Sequence, residues 1–205
     1  MKISVEKTGG KKVYVCPEYG EGVYLYPGEI KKQGIGEKDC LTEQEMEQLR
    51  AEYAIPRAKK RAMALLIKKD YTEKELREKL SQSLHDRLSA EEALQYVLSH
   101  GYVDDMQYAK DYISSKKGRK SFRQIKRELS GKGISSQVME IAFEEAGEQG
   151  TEEIRPLVEK YLRRFSEWNQ DAMEKTCAHF YRKGYALGVV RQAVREIQEE
   201  DTFSE

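Results

Sequence analysis

The chain has 205 residues, equal numbers of basic and acidic side chains, and a charged fraction of 35%. This length can bury one core or several small cores in series, and so many charges argue against a single large globule. No apolar run reaches the ~18 residues of a membrane helix, and the first residues lack the apolar segment of a signal peptide. A cytoplasmic protein without membrane attachment is therefore expected.

The neutral total hides three segments of unlike charge. Residues 1–55 carry a net charge of −2, residues 56–133 carry +8, and residues 134–205 carry −6. Such asymmetry favours a basic working surface that faces an anionic partner, with an acidic C-terminal part. A set of solvated helix faces is the alternative interpretation.

Residues 1–41 are predicted to form a small antiparallel β extension. Apolar side chains alternate with polar ones in three short runs, the period of half-buried strands. Gly9–Gly10 can form the first hairpin turn, and Pro27–Gly28 ends the third run. A sheet of about three strands is too small to be stable alone, so it must pack against a helix. The three runs are marked by Ile3 and Val5, by Val13 and Val15, and by Val23 and Leu25.

Capping boxes then mark the starts of successive helices. In each, a Ser or Thr is followed three residues later by Glu or Gln, so that both side chains pair with free backbone N–H groups. Pro56 is predicted to interrupt the first helical run, with a new helix from about Arg57. Ser135 is a further candidate cap. The boxes are Thr42–Glu45, Thr72–Glu75, Ser89–Glu92 and Ser121–Gln124.

An internal repeat organises the rest of the chain. Ser89, Ser135 and Ala186 take equivalent places, with separations of 46 and 51 residues, and Lys132–Gly133–Ile134 aligns with Lys183–Gly184–Tyr185. A period of this size, with three helices per unit, is typical of a helical array. Pro156 is expected to delay or bend the helix that begins the last unit.

The predicted fold class is mainly α: a tandem array of three three-helix, helix-turn-helix-like repeats behind the β extension. The predicted domains are 1–41 for the extension, 42–103 for a linking helix and the first repeat, 104–150 for the second, basic repeat, and 151–205 for the third repeat and an acidic tail.

The segment from Gly101 to Gly133 contains the most informative motif. Gly101 can stop one helix, Asp104 and Asp105 begin the next, and Tyr108 and Ala109 lie on its apolar face. Two carboxylates at a helix start cap N–H groups and oppose the positive end of the dipole, which we favour over a metal site. Gly133 ends the following helix.

A dense basic cluster follows this motif. From Lys116 to Lys132 there are eight Lys or Arg and one acidic residue, Glu128. Self-repulsion among these charges favours a binding role, towards either a phosphate backbone or an acidic protein face. The stripe of Tyr108 and Tyr112 is interpreted as core packing in preference to a base-stacking platform. The predicted binding residues are Lys116, Lys117, Arg119, Lys120, Arg123, Lys126, Arg127 and Lys132.

Nothing in the sequence indicates catalysis or a cofactor. His85, His100 and His179 are isolated from one another, the three cysteines lack CxxC spacing, and Gly34–Ile35–Gly36 is a lone GxG that we interpret as a loop. No enzyme activity, metal or cofactor is predicted.

The chain resembles the RecX family of RecA regulators. The resemblance rests on the run from Gly101 to Tyr112, the basic turn after it, Ile125, Leu129 and the Lys132–Gly133–Ile134 step, and on the upstream stretch from Ala64 to Leu80. It covers about residues 57–200, and the segment from Ser81 to Arg87 departs from the usual short turn.

This resemblance implies a non-enzymatic regulator of three tandem repeats that binds RecA or its filament on single-stranded DNA. It implies modulation, mostly inhibition, of the ATPase, strand-exchange and co-protease activities of RecA. A monomer is expected separately, because an array with polar terminal helices needs no partner to be soluble, and weak direct nucleic-acid binding is a further expectation. Two alternatives stay open: a helix-turn-helix-like transcription regulator that binds duplex DNA directly, and a structural adaptor that binds no nucleic acid.

Overall fold

The computed structural model describes residues 1–8, 10–35, 39–84, 86–167 and 169–202. These residues form two compact units, Met1–Asp104 and Asp105–Glu205. Gly9, Gly36 and His85, named above, lie outside the described residues.

The first unit opens with a three-stranded antiparallel sheet in the order β1-β2-β3, as predicted. Val15 pairs with Val5 on one side and with Val23 on the other. In the first strand Ile3 is half-buried as predicted, but the prediction was wrong for Val5, which is 45% exposed. β1 is an edge strand, whereas the helical residues that cover the sheet contact β3. The strands are β1 (Ile3–Lys7), β2 (Val13–Pro17) and β3 (Val23–Leu25).

A short helix that the sequence reading missed follows the sheet. Helix α1 (Pro27–Lys32) begins at the proline that was expected only to end the third strand. Proline suits the first helical position because its missing N–H needs no partner there. The Tyr26 N–H donates to the Glu29 carboxylate at 2.8 Å, which completes the cap.

The next helical run passes through Pro56 without a break, contrary to the prediction. Helix α2 (Glu43–Leu49) starts at the predicted Thr42–Glu45 capping box. A π-helical turn (Arg50–Ala54) joins it to α3 (Ile55–Leu66). The extra residue of a π turn changes the hydrogen-bond ladder ahead of the proline, and Pro56 then occupies the tolerated first turn of α3.

The first repeat packs α3 against α4 (Glu73–Leu84) and α5 (Arg87–Ser99) around a core of Ala and Leu side chains. The Thr72–Glu75 cap forms as predicted. The predicted Ser89–Glu92 cap does not form: the N-cap of α5 is Asp86, three residues earlier. Ser89 is buried in the first turn and pairs with the Asp86 carboxylate through its N–H at 3.1 Å and its hydroxyl at 2.6 Å.

The second unit holds the second and third repeats, each around its own apolar cluster. The predicted caps at Ser121 and Ser135 are both present. Helix α9 begins at Thr151 with Pro156 inside it, so the proline does not delay the start of the helix, and a bend there stays a prediction. The helices are α6 (Asp105–Lys116), α7 (Phe122–Gly131) and α8 (Ser136–Ala146), then α9 (Thr151–Leu162), α10 (Gln170–Arg182) and α11 (Leu187–Thr202).

The aligned glycines end equivalent helices in the same way. Gly133 and Gly184 both have φ near +91°, which L side chains adopt only with strain. The next N–H donates back to the carbonyl five residues earlier, from Ile134 to Leu129 and from Tyr185 to Phe180, at 3.1 Å in both cases. This bond completes a Schellman motif. The predicted fold class, mainly helical with a small N-terminal sheet, is confirmed.

Two further observations concern the whole of the described chain. No helix in the described ranges combines the length and apolar character needed to cross a lipid bilayer. Cys16, Cys40 and Cys177 are free thiols.

Candidate binding surface of the second unit

The segment from Gly101 to Gly133 contains the first two helices of the second repeat, α6 and α7. Asp104 directly precedes α6 and Asp105 is its first residue. Ala109 is fully buried, and Tyr108 is a half-buried side chain packed against the same core. Gly101 has a φ of +67°, which ends α5.

The tyrosine stripe has a buried side and a side that holds cations. The rings of Tyr108 and Tyr112 are stacked with centroids 6.1 Å apart. The Lys132 ammonium lies 5.5 Å and 5.7 Å from the two centroids, and the Lys116 ammonium lies 5.6 Å from that of Tyr112. These rings therefore pack at the edge of the core and also position two of the predicted binding residues.

Glu128 is a carboxylate set among these cations. It accepts hydrogen bonds from Lys120 at 2.6 Å and from the Tyr112 hydroxyl at 2.8 Å, and these bonds lower the pKa of Glu128. Burial and the bond to Glu128 raise the pKa of Tyr112 to about 12. Part of the positive charge in the basic cluster is thus neutralised within the fold.

Lys117 has a structural role. Its ammonium forms an ion pair with Glu153 at 2.9 Å and donates to the carbonyl of Ala146 at 3.1 Å. The Gln149 amide donates to the carbonyls of Lys117 and Lys120, which closes the basic turn against the segment before α9. Lys117 therefore connects the second and third repeats.

The predicted residues within α7, which are Arg123, Lys126 and Arg127, lie on different faces of this helix. Arg123 and Arg127 are exposed and one helical turn apart, opposite the buried Ile125 and Leu129. Lys126 lies on one flank, with its ammonium 4.9 Å from the ring centroid of Phe143.

Arg119 and Lys120 line a groove of about 420 Å³ on the other flank. The predicted cluster is thus divided among three surfaces of the second repeat.

This groove lies between the second and third repeats and contains cations that sequence reasoning missed. Among the described residues that line it, none is acidic. Its basic lining consists of Arg119 and Lys120 from the second repeat with Lys160, Arg164, His179 and Lys183 from the third. The third repeat has a negative net charge, so its basic residues were not predicted to form a binding surface.

One buried serine brings the two repeats together at the groove. Ser121 is fully buried, and its hydroxyl donates to the carbonyl of Lys183 at 2.6 Å while it caps α7. Gly184 then approaches Arg123 so closely that a β-carbon on Gly184 would lie 2.7 Å from that of Arg123. The end of α10 is therefore held against the start of α7, with Lys183 beside Arg119 and Lys120.

Aromatic side chains form the apolar part of the groove. The rings of Tyr161 and His179 are stacked with centroids 4.1 Å apart, and Phe180 meets Tyr161 edge-on at 5.8 Å. Arg164 lies over Tyr161, with its guanidinium carbon 5.0 Å from the ring centroid. Burial, with help from the charges of Lys183 and Arg164, lowers the pKa of His179.

The architecture is that of a helical-repeat protein, and this surface places positive charge beside aromatic rings. Comparisons with known proteins identify the family. Residues 104–142 match the family model described as RecX, second three-helix domain. The regulatory protein RecX of Vibrio vulnificus strain CMCP6 is 30% identical over 136 residues, which cover 66% of this chain and 89% of that protein. The chain therefore belongs to the RecX family of regulatory proteins.

More distant similarities extend over nearly the whole chain. The regulatory protein RecX of Clostridium botulinum strain Eklund 17B is 23% identical over 199 residues, covering 95% of this chain and 94% of that protein. A crystal structure of a regulatory protein RecX has a TM-score of 0.64 at 18% identity, covering 95% of this chain and 98% of the other. At 18% identity, the similarity to this crystal structure shows a shared fold alone.

Proposed function

We propose that the protein binds RecA, or the RecA filament on single-stranded DNA, and modulates it mostly by inhibition. The affected activities are its recombinase, ATPase and co-protease functions, so the protein regulates DNA repair. Membership in the RecX family is the observation that carries this proposal. The basic surface of the second unit supports it, because a filament offers both phosphates and acidic protein surfaces.

The exposed cations of α7 and its preceding turn are the proposed contact residues. Arg119, Arg123 and Arg127 are exposed and form no ion pair with any residue that the structure describes. Lys117 and Lys120 are different, because each is already paired with a carboxylate. Arg119, Arg123 and Arg127 are therefore available to a partner without the loss of an internal ion pair.

The proposed domains are those predicted from the sequence. Four separate clusters of buried side chains support a division into an N-terminal extension with its covering helix and three repeats. We also propose a monomeric, non-catalytic protein that acts in the cytoplasm, where RecA filaments form.

The test measures inhibition of RecA ATPase on single-stranded DNA by the full chain. The triple variant Arg119→Gln, Arg123→Gln, Arg127→Gln should raise the concentration for half inhibition by about tenfold or more, because complementary charges speed association.

A matched control removes the same charge from exposed residues of the first unit, Arg61→Gln, Lys68→Gln and Lys79→Gln. This control should inhibit like the wild type. Equal inhibition by both triple variants, with unchanged helical circular dichroism, would remove the α7 surface from the proposal. Tight, sequence-selective binding of duplex DNA without RecA would instead favour the transcription-regulator alternative.

A further inference from the structure

The groove between the second and third repeats contains positive charge without internal compensation. Arg119, Lys160, Arg164 and Lys183 line it, and none of the four forms an ion pair within the described ranges of the chain. Four like charges around one groove repel one another in the folded protein. An anion that enters the groove would relieve this repulsion.

Two of the four cations lie over aromatic rings, and no described carboxylate pairs with them. The Arg164 guanidinium carbon lies 5.0 Å from the ring centroid of Tyr161, and the Lys183 ammonium lies 6.0 Å from that of Phe180. Cation–π contacts orient a charged group and leave its hydrogen-bond donors free. These donors are therefore available to an incoming anion.

A hydroxyl group without an internal partner supports the same conclusion. Tyr185 lines the groove, and although the residue as a whole is only 5% exposed, its hydroxyl oxygen is not fully buried and forms no hydrogen bond with any described residue. A largely buried tyrosine usually finds a partner for its O–H group. The Tyr185 hydroxyl is therefore available as a donor to a ligand in the groove, and burial raises the pKa of this group further.

The remaining lining is flat and aromatic. Tyr161 and His179 are half-buried and nearly parallel, at 21°, so they offer a ring surface beside the four cations. Cations next to aromatic rings are the combination with which proteins bind nucleotides, since phosphates meet the cations and bases stack on rings. The volume of about 420 Å³ suits one nucleotide better than a long polymer segment.

We propose that this groove binds a nucleotide, with its phosphates on the four unpaired cations and its base against the aromatic surface of Tyr161 and His179. The Tyr185 hydroxyl donates to the bound phosphate or sugar. The nucleotide comes either from a free nucleoside triphosphate or from a terminal nucleotide of a single strand. This binding does not depend on RecA, so it can be tested separately from the function proposed above.

Fluorescence anisotropy of the full chain, without RecA, provides the test. The two probes are a fluorescent ATP analogue and a labelled, 5′-phosphorylated oligothymidylate, and their relative affinities distinguish the two sources. Arg164→Gln and Lys183→Gln should each weaken binding of the preferred probe about tenfold or more. Arg195→Gln, which removes an exposed charge from α11 in the same unit, should leave binding unchanged.

Competition separates the aromatic contribution from the ionic one. Inorganic triphosphate should displace the probe more weakly than ATP does, because it cannot use the ring surface. Tyr161→Leu should reduce the preference for ATP over triphosphate. If that variant unfolds, the comparison of ATP with triphosphate on the wild-type chain still tests the contribution of the aromatic surface. Three results would each overturn the proposal: no binding of either probe at about millimolar concentration, equal effects of Arg164→Gln and Arg195→Gln, or equal competition by triphosphate and ATP.

Discussion

The close approach of Gly184 to Arg123 makes a quantitative prediction. In Gly184→Ala the new β-carbon would lie 2.7 Å from Cβ and 2.8 Å from Cδ of Arg123, in a backbone with φ +91°. Gly101→Ala is the matched control, because Gly101 also has positive φ, at +67°, but nothing lies within 4 Å of its added β-carbon. Gly101→Ala therefore measures the backbone strain alone.

The two costs can be separated in magnitude. A non-glycine residue in the left-handed region costs about 1–2 kcal/mol, so this is the expected loss for Gly101→Ala. Gly184→Ala adds an overpacking term of about 1–3 kcal/mol, for a total of about 2–5 kcal/mol. Arg123→Ala in the Gly184→Ala background removes Cγ and Cδ but keeps the nearest atom, Cβ, so it should restore only part of the loss.

Hydrogen exchange of the full chain along a urea series is the appropriate assay, because two compact units need not unfold in one transition. For Gly184→Ala, the loss of protection should appear in α7, α10 and α11. For Gly101→Ala, it should appear in α5. Equal losses of stability in the two variants would refute the reasoning, since the contact with Arg123 would then have no energetic weight.

Three other predictions concern single side chains. Asp86→Asn keeps a capping side chain for α5 but leaves the buried Arg50 cation without its carboxylate partner at 3.7 Å, and urea unfolding should show a loss of about 3 kcal/mol. A loss within about 0.5 kcal/mol would mean that this ion pair is dispensable. Tyr112→Phe removes a donor to Glu128, so the pKa of that carboxyl, followed by NMR, should rise towards its ordinary value; an unchanged pKa would contradict the assignment. Because the pKa of His179 is lowered in the fold, the unfolded chain binds more protons, and stability should fall as pH drops through about 6.5. His179→Gln should remove that part of the pH dependence, and an identical pH profile would exclude His179 as its source.

Local signals explain what the sequence could predict. The caps at Thr42, Ser121 and Ser135 and the stops at Gly133 and Gly184 depend on residues within one turn, so short-range chemistry decides them. The same locality accounts for the alternation that predicted the three strands.

The errors arose where longer-range packing decided between local options. Ser89 was predicted as the cap of α5, but the structure uses Asp86, whose carboxylate also faces the buried Arg50. Pro56 was expected to end a helix, but a π-helical turn accommodates it. The interpretation of Val5 as half-buried failed because burial at a sheet edge depends on what covers that edge.

The groove between the second and third repeats could not be predicted from sequence patterns. Lys160, Arg164 and Lys183 are spread over the third repeat, whose total charge is negative, so no run or spacing connects them with Arg119. Their proximity depends on the bond from Ser121 to the Lys183 carbonyl and on the absence of a side chain at Gly184. Both are tertiary contacts between repeats that a one-dimensional reading cannot detect.

The π-helical turn has a mechanical consequence for the first unit. Helical backbone continues from Glu43 to Leu66, with Ala54 in the core beneath the sheet and Ala58 in the core of the first repeat. Arg50, inside that turn, donates to the carbonyl of Glu21 at 2.8 Å and faces Asp86 at the head of α5. The β extension and the first repeat therefore share one continuous helical segment and the buried contacts of Arg50. A force applied to the strands is transmitted through these connections to the first repeat.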